Sequence, residues 1–441
     1  MRPILALLAA AVLTFSAGIT GAKAGNTGLD EASTQSESFS APPVPVETAP
    51  ARAPSAIPTI GAVSVTGGDR LGVVEMAQTY GPFVGRSADP ATLQELARTL
   101  ADVARSHGYL FATAVVPSQS VDLGVVRVKL ELGRIDQVRI VGSRNRQLRS
   151  ILNRLVGPAP KAAQVERRLL LAGDLPGMTV LGTRYDRQNG LGILEVRVSD
   201  VRYRSSVTID TYGSRAYGPV RVRLSAEADN IAGSASSVDM QAIKAIENNE
   251  LSYASLRYRT TMRSGTLLTG ASVSVGASRP GGTVRYRLDG RSAYGSLFAN
   301  ANLMRSRKAS LWVNTELSVL AVDEGVYGRT FQRDRTLTAM VTLSGNHAVG
   351  SGRIYGELGV VRGLVPASRL GAGHLPSARP EASSVFTKTV AWASYVQPIS
   401  GRTTVRASVL AQAARKPLPV SQELGLGGPT YGRAYDFNER Y

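Results

Sequence analysis

From Asp200 onward, apolar residues recur at every second position in long runs, and this rhythm limits the fold more than any other feature of the chain. Val220, Val222, Leu224, Ala226 and Ala228 alternate with Arg221, Arg223, Ser225, Glu227 and Asp229. Leu267, Thr269, Ala271, Val273 and Val275 alternate with Leu268, Gly270, Ser272, Ser274 and Gly276, and Leu311 to Val319 alternates in the same way. Comparable runs lie near 207–212, 238–246, 254–262, 297–303, 337–343, 354–360, 385–396 and 405–411, eleven in all. Successive side chains of a strand point to opposite faces, so each run predicts a strand with one apolar and one polar face. Strands of about 9–11 residues with this pattern are the signature of a transmembrane barrel, whereas soluble strands average about 5–6. A polar set of Arg, Ser, Asn, Glu and Thr makes a poor sandwich core and suits a wet interior.

The first 200 residues read differently. Arg2 precedes an apolar run from Ile4 to Phe15, and Ala22-Lys23-Ala24 forms a small-x-small site, together an export signal over 1–24. That run is shorter than the roughly 20 residues a membrane helix needs. Residues 25–59, rich in Ser, Ala and Pro, are expected to be a linker that cannot offset its ordering entropy by burial. From Ile60 the order is strand, short helix near Val73–Tyr80, helix, strand, strand. Asp89-Pro90 opens the second helix with an N-cap and a first-turn proline, and Leu93, Leu96, Ala97, Leu100, Val103 and Ala104 form its apolar stripe. The order then repeats: a strand over Ile135–Val141, helices over Asn145–Leu155 and Ala163–Leu171, strands over Met178–Arg184 and Leu191–Val198. The predicted domains are 60–133, 134–200 and 201–441, an α+β pair followed by an all-β part. Each small unit has about 70 residues, near the lower limit for a self-sufficient core.

The formal charge is +18, and removing Arg2 and Lys23 with the signal leaves +16. An exported chain does not meet nucleic acid, so lipid headgroups and an acidic cargo are the expected anions. With no cysteine, disulfides and thiolate chemistry are excluded. His107, His347 and His374 stand apart, with no nucleophile elbow or metal spacing beside them. His107 falls at a helix end and the other two in predicted turns or loops. No enzyme, cofactor or metal is expected.

"HGYLFATAVVPSQSVDLGVVRVKLELGRI", His107 to Ile135, resembles the first POTRA domain of the two-partner secretion transporters, the ShlB/FhaC/HecB group. Its Gly108-Tyr109 and Pro117-x-Gln119 carry the likeness. "DLPGMTV", Asp174 to Val180, with Pro176 and Gly177, resembles the second POTRA domain of that family. "LGLGGPTYGRAYD", Leu424 to Asp436, is similar to its long sixth extracellular loop, with Gly427, Gly428 and a Gly432-Arg433-Ala434-Tyr435 tip. The tip has alanine where glycine is usual.

The resemblance implies two tandem POTRA domains (β-α-α-β-β) before a transmembrane antiparallel β-barrel, with about 11 of 16 strands present. It implies an outer-membrane monomer that captures an unfolded exoprotein of haemolysin or adhesin type in the periplasm. The cargo then passes to the surface without nucleotide hydrolysis. Capture is expected by pairing of cargo with a strand edge, Ala112–Val116 or Met178–Arg184, between which the sequence does not choose. In the family the loop arginine pairs with an acidic residue of a late strand. No counterpart for Arg433 is found before Tyr441, so the chain reads as a fragment, not expected to form a closed pore alone. The family's plug helix is not evident in the proline-rich segment. A barrel-assembly factor of the same superfamily and a diffusion porin are the alternatives.

Two readings of individual residues stay open at this stage. Gly108-Tyr109 also reads as a plain helix cap and core aromatic. Arg221, Arg223, Arg257 and Arg259 read either as a cation-rich lumen or as ordinary polar residues facing water.

Overall fold

A computed structural model describes residues 58–425, apart from 122, 212, 214–216, 247–250, 282–287 and 374. The expected export signal, nearly all of the linker, His374 and the loop-tip residues Gly427, Gly428, Gly432, Arg433, Ala434 and Tyr435 lie outside the described residues.

The first unit comprises β1 (Ala62–Thr66), α1 (Val73–Tyr80), α2 (Pro90–Ser106), β2 (Thr113–Val115) and β3 (Val125–Glu131). β3 is central, parallel to β1 and antiparallel to β2. Its alternation decides which face meets the helices: Val126, Val128 and Leu130 are buried and Val125, Arg127 and Lys129 are exposed. Against them lie Leu96, Ala97, Leu100, Ala101 and Ala104 of α2. Complete burial of Leu96 and Leu100 contributes roughly 1.5–3 kcal/mol each. The N-cap carboxylate of Asp89 accepts a hydrogen bond from the Thr92 N–H at 2.9 Å, which holds its pKa below the ordinary value.

The second unit repeats this order. It comprises β4 (Arg134–Ile135), β5 (Gln137–Val141), α3 (Arg146–Leu152), β6 (Gly157–Pro158), α4 (Ala162–Gly173), β7 (Met178–Gln188) and β8 (Leu191–Asp200). β8 is central, parallel to β5 and antiparallel to β7. The expected helix over Asn145–Leu155 is shorter, because Asn145 is its N-cap and Asn153–Leu155 tightens to a 3-10 turn.

The remaining eleven strands form one antiparallel sheet in sequence order. They are β9 (Tyr203–Asp210), β10 (Arg221–Asp229), β11 (Ser236–Ala245), β12 (Leu251–Met262), β13 (Leu267–Ser278), β14 (Leu288–Arg305), β15 (Ala309–Val326), β16 (Arg329–Val349), β17 (Gly352–Gly363), β18 (Thr387–Ser400) and β19 (Thr403–Ala414). Each of the eleven alternating runs is a strand. Among the described residues the sheet is open, with β9 and β19 at its edges. One face is apolar and exposed, with Leu224, Met240, Val273, Leu297, Val341 and Leu358 along it. The other is lined by polar cross-strand pairs, including Ser272–Ser296 at 2.8 Å, Ser318–Thr338 at 2.8 Å and Asn314–Ser344 at 2.8 Å. Among the described residues no helix is long and apolar enough to cross a membrane.

β14, β15 and β16 have 18, 18 and 21 residues, well beyond the runs read from the sequence. Their hydrogen-bond ladders continue past the alternating stretch, where Leu320 and Val322 turn onto the polar-lined face and are buried there. Tyr327 and Gly328 close β15 to β16 with φ of 53° and 80°, the left-handed pair that a two-residue hairpin turn requires. His347, expected in a turn, is a strand residue of β16 paired with Ala309 and Ile354.

Candidate functional site

Three places bring the chain's unusual residues together: the joint between the two small units, the junction of the second unit with the sheet, and the polar face of the sheet.

At the first joint, Gly108 ends α2 in the left-handed conformation (φ 87°), and its carbonyl accepts the N–H of Ala162 at 2.7 Å. Tyr109 is buried in the first core, and the Lys161 Nζ stands 5.5 Å from its ring centroid. The pair is therefore both helix cap and core aromatic, and it also touches the start of α4. Phe111 stacks on Tyr185 of β7 at 4.2 Å, and Gly133 (φ 87°) leaves room for it, since a Cβ there would lie 2.5 Å from the Phe111 Cβ. Arg187 donates to Glu131 at 2.6 Å. Hydrogen bonding from Lys129, then from Arg187, holds the Glu131 carboxyl below its usual range. Asp136 is likewise lowered, by the Gly192 N–H and then by Arg134.

Pro117 and Gln119 explain why β2 is shorter than the expected Ala112–Val116. Proline offers no N–H to extend the ladder. The Gln119 amide replaces the strand, donating to the Arg127 carbonyl at 2.7 Å and accepting the Arg127 N–H at 2.9 Å. Of the two cargo edges suggested by the sequence, β2 is enclosed, with Ala112, Thr113 and Ala114 buried. Among the described residues β7 has only β8 as a ladder partner, and its Thr179, Leu181 and Arg184 are exposed.

At the second joint the second unit rests on three successive turns of the sheet. Asn145 caps α3 with its side-chain oxygen and donates to Asn230, which donates to Asp200, to which Ser143 also donates at 2.8 Å. Asn145 and Asn230 are almost fully buried, so this chain of polar groups satisfies itself inside the junction. Pro176 is buried. Gly177 (φ 68°) bonds the Val201 N–H at 2.9 Å, and a Cβ on it would lie 2.8 Å from the Asp229 Cβ. The β12–β13 turn inserts Gly265 against Ile151 and Leu171. At the β14–β15 turn Arg305 grips Asp174, and the Arg307 N–H donates to Glu166 at 2.5 Å. Asn145, Asp174, Asn230, Gly265 and Arg305 were not singled out from the sequence as site residues. Their partners are far along the chain, and only the DLPG motif marked the place.

On the polar face, the four arginines left open above all point inward and all meet partners. Arg221 bonds Asp210 through Nη2 at 2.7 Å, and Arg223 approaches the same carboxylate at 3.8 Å. Arg259 bridges Glu227 at 2.6 Å and Asp239 at 3.1 Å. Arg257 stands over the Phe298 ring at 5.0 Å. The wall alternates in sign and is not cation-rich. At the end away from the small units, two segments cover this face. Ala378 of the β17–β18 connection and Val420, beyond β19, pack on Leu320 and Val322. Leu418 is buried against Val361 and Phe386, Lys388 donates to the Gln422 carbonyl at 2.8 Å, and Arg379 pairs with Glu423. His107 is the C-cap of α2, with Nε2 3.1 Å from Glu75. Among the described residues no cluster of His, Asp and Glu could hold a metal ion.

Comparison with known proteins gives this arrangement its relatives. Residues 59–133 match the ShlB-type POTRA domain. Two curated relatives are the heme/hemopexin transporter protein HuxB of Haemophilus influenzae strains 86-028NP and KW20 / Rd. They are 23% identical over 193 and 194 residues, covering 41% of this chain and 34% of each relative. The aligned part thus spans about a third of the length of these curated relatives. Among solved structures, CdiB from Escherichia coli superposes with a TM-score of 0.70 at 18% identity, covering 97% of this chain and 80% of that one. CdiB from Acinetobacter baumannii gives 0.63 at 13%, covering 98% and 81%. At these identities the likeness is one of fold. Residues 193–436, more than half of the chain, match the haemolysin secretion/activation protein ShlB/FhaC/HecB model, and the chain belongs to that family.

Proposed function

We propose that the chain is an outer-membrane translocator that carries a partner exoprotein from the periplasm to the cell surface. The observation that carries this reading is the seating of the second small unit on three successive turns at one end of a membrane-type sheet. A unit fixed there can deliver an extended peptide to the polar face, while the apolar face meets lipid. The family match supports secretion over the assembly-factor and porin readings. The domains proposed are a signal over 1–24, a linker over 25–59, POTRA units over 60–133 and 134–200, and the barrel part over 201–441. Gly108 and Tyr109 act as positioning residues of the first joint and Pro176 and Gly177 of the second, Pro117 and Gln119 end β2 at the edge of β3, and Arg433 is the reporter of the inward loop. The working unit is one copy of the chain in outer-membrane lipid, with both POTRA units in the periplasm.

Cargo capture is assigned to the β7 edge. Its exposed residues leave the backbone accessible to an extended partner, as edge pairing requires, and β2 is enclosed. The test is co-expression with a large β-helical exoprotein encoded beside this chain. Proline at Thr183 should abolish release of the exoprotein while the translocator still inserts. Undiminished release from that variant would reject the β7 assignment. Undiminished release from cells lacking the chain would reject the function itself.

A further inference from the structure

The outward, apolar face carries a trough that ordinary lipid-facing patterning does not require. On β11 and β12, Ala242 and Ala254 face each other in register, with Leu224 beside Ala242 and Val275 beside Ala254. Two methyl side chains between two larger ones make the floor and walls. The adjoining hollows along it have volumes of about 430 and 550 Å³. Strands lie about 4.8 Å apart, so the walls stand roughly 14 Å apart centre to centre. Their own side chains reduce this to less than the 10–12 Å that a helix needs, and acyl chains fit.

The trough has a charged head at one end only. Two residues beyond Ala242 on the same face is Lys244, which lines the hollow and is exposed. The lateral register runs from Lys244 through Ser252 and Ala277 to Arg291, also exposed, and on through Asp323 to Arg333. Asp323 is the one carboxylate in this row, and Arg333 at 3.2 Å and Arg335 at 2.6 Å bond it. Lys244 and Arg291 are three strands apart, roughly 14 Å. The row lies at the end of the sheet opposite the turns that seat the second small unit. If the chain is oriented as proposed above, it faces the outer leaflet.

The geometry points to a binding site for a phosphate-bearing glycolipid of the outer leaflet. Lys244 and Arg291 receive headgroup phosphates, and the acyl chains lie in the Ala242–Ala254 trough. The site rests on the orientation given under the proposed function. Lys244 stands directly above the apolar trough and Arg291 one strand outside its Val275 wall, an arrangement that suits such a lipid, phosphate over hydrocarbon. A second copy of this chain would bring like charges face to face along the row.

The test uses the full chain extracted in mild detergent from outer membranes, with co-purified lipid measured by native mass spectrometry and phosphate assay. Wild type should retain glycolipid. Lys244→Glu/Arg291→Glu should retain at least tenfold less, and Ala242→Leu/Ala254→Leu, which fills the trough, should fall by a similar factor. Treatment of the membranes with a lipid phosphatase should reproduce the charge-variant result. Equal retention by all three proteins, or retention indifferent to the phosphate, would overturn the site. So would a wild-type dimer that the trough variant dissolves. Recovery of the chain outside the outer membrane would overturn this site and the proposed function together. Correct insertion and secretion without selective lipid would overturn this site alone.

Discussion

Arg305, at the end of β14, clasps Asp174, the C-cap of α4, through two parallel bonds: Nε to Oδ2 at 2.8 Å and Nη2 to Oδ1 at 2.7 Å. The two residues are 131 positions apart, and both are mostly shielded from solvent. A paired fork of this kind fixes direction as well as distance. It helps to set how the second small unit meets the sheet.

Breaking this clasp should loosen the junction without unfolding either side. A double-mutant cycle with Asp174→Asn and Arg305→Gln should give a coupling of about 1.5–3 kcal/mol in denaturant unfolding. Hydrogen exchange should speed up in α4 and in the β14–β15 turn, and not in α2. A coupling near zero would mean that the other turn contacts hold the unit alone.

Gly177 and Gly85 provide a matched comparison. Both have positive φ, 68° and 89°, but a Cβ meets nothing within 4 Å at Gly85 and lies 2.5 Å from the Val201 carbonyl oxygen at Gly177. Gly85→Ala should therefore cost only the backbone strain of about 1–2 kcal/mol. Gly177→Ala should cost about 3 kcal/mol or more, because the junction backbone must also move. The shift in unfolding midpoint of each variant checks the difference.

The joint between the two small units should weaken in acid. Glu131 titrates below its ordinary 4.5 because it accepts hydrogen bonds from Lys129 and Arg187. A folded-state pKa below the unfolded one means that the charged form is the stabilised one, and the bond from Arg187 is the part of that stabilisation that spans the joint. Its contribution is complete above about pH 4.5 and is lost as pH falls through the lowered value. Glu131→Gln should flatten this dependence in the range below 4.5, read from the exchange rates of β7. An unchanged acid profile in the variant would remove Glu131 from the account.

The alternating rhythm made the sheet legible because a two-residue period sorts apolar residues to one face and polar residues to the other at each step. Val273 and Ser272 each declare their face locally. The strand ends were not legible, since past the alternating stretch the ladder continues without that pattern. Leu320 and Val322 are apolar there because two covering segments meet them. The junction was legible only in part. Gly177 announces a tight turn, but nothing near Asp174 in sequence names Arg305. Asn145 read as the start of a helix, and its second bond, to Asn230, depends on a turn 85 positions away. Gln119 carried a family signal whose physical content, an amide standing in for a strand, appears only once the edge of β3 is seen.

The cover over the polar face should behave as one latch made from two segments. Arg379 of the β17–β18 connection pairs with Glu423 beyond β19, and Ala378 and Val420 share one apolar cluster. Below them Leu418 fills the space between Val361 and Phe386. Charge reversal at one side, Arg379→Glu, places two carboxylates together and should raise hydrogen exchange in both 371–384 and 418–423. Combining it with Glu423→Lys restores opposite charges and should return most of the protection. Leu418→Ala acts on the same cover without touching the ion pair, at a cost of about 2–3 kcal/mol for the lost contacts and the cavity left behind. It should release 418–423 and leave the exchange of β15 unchanged, since its ladders run to β14 and β16, whereas the Arg333 N–H of β16 is itself bonded to the Pro376 carbonyl of the cover. If Arg379→Glu loosened only its own segment, the two pieces would be separate covers, and the charge swap would rescue nothing.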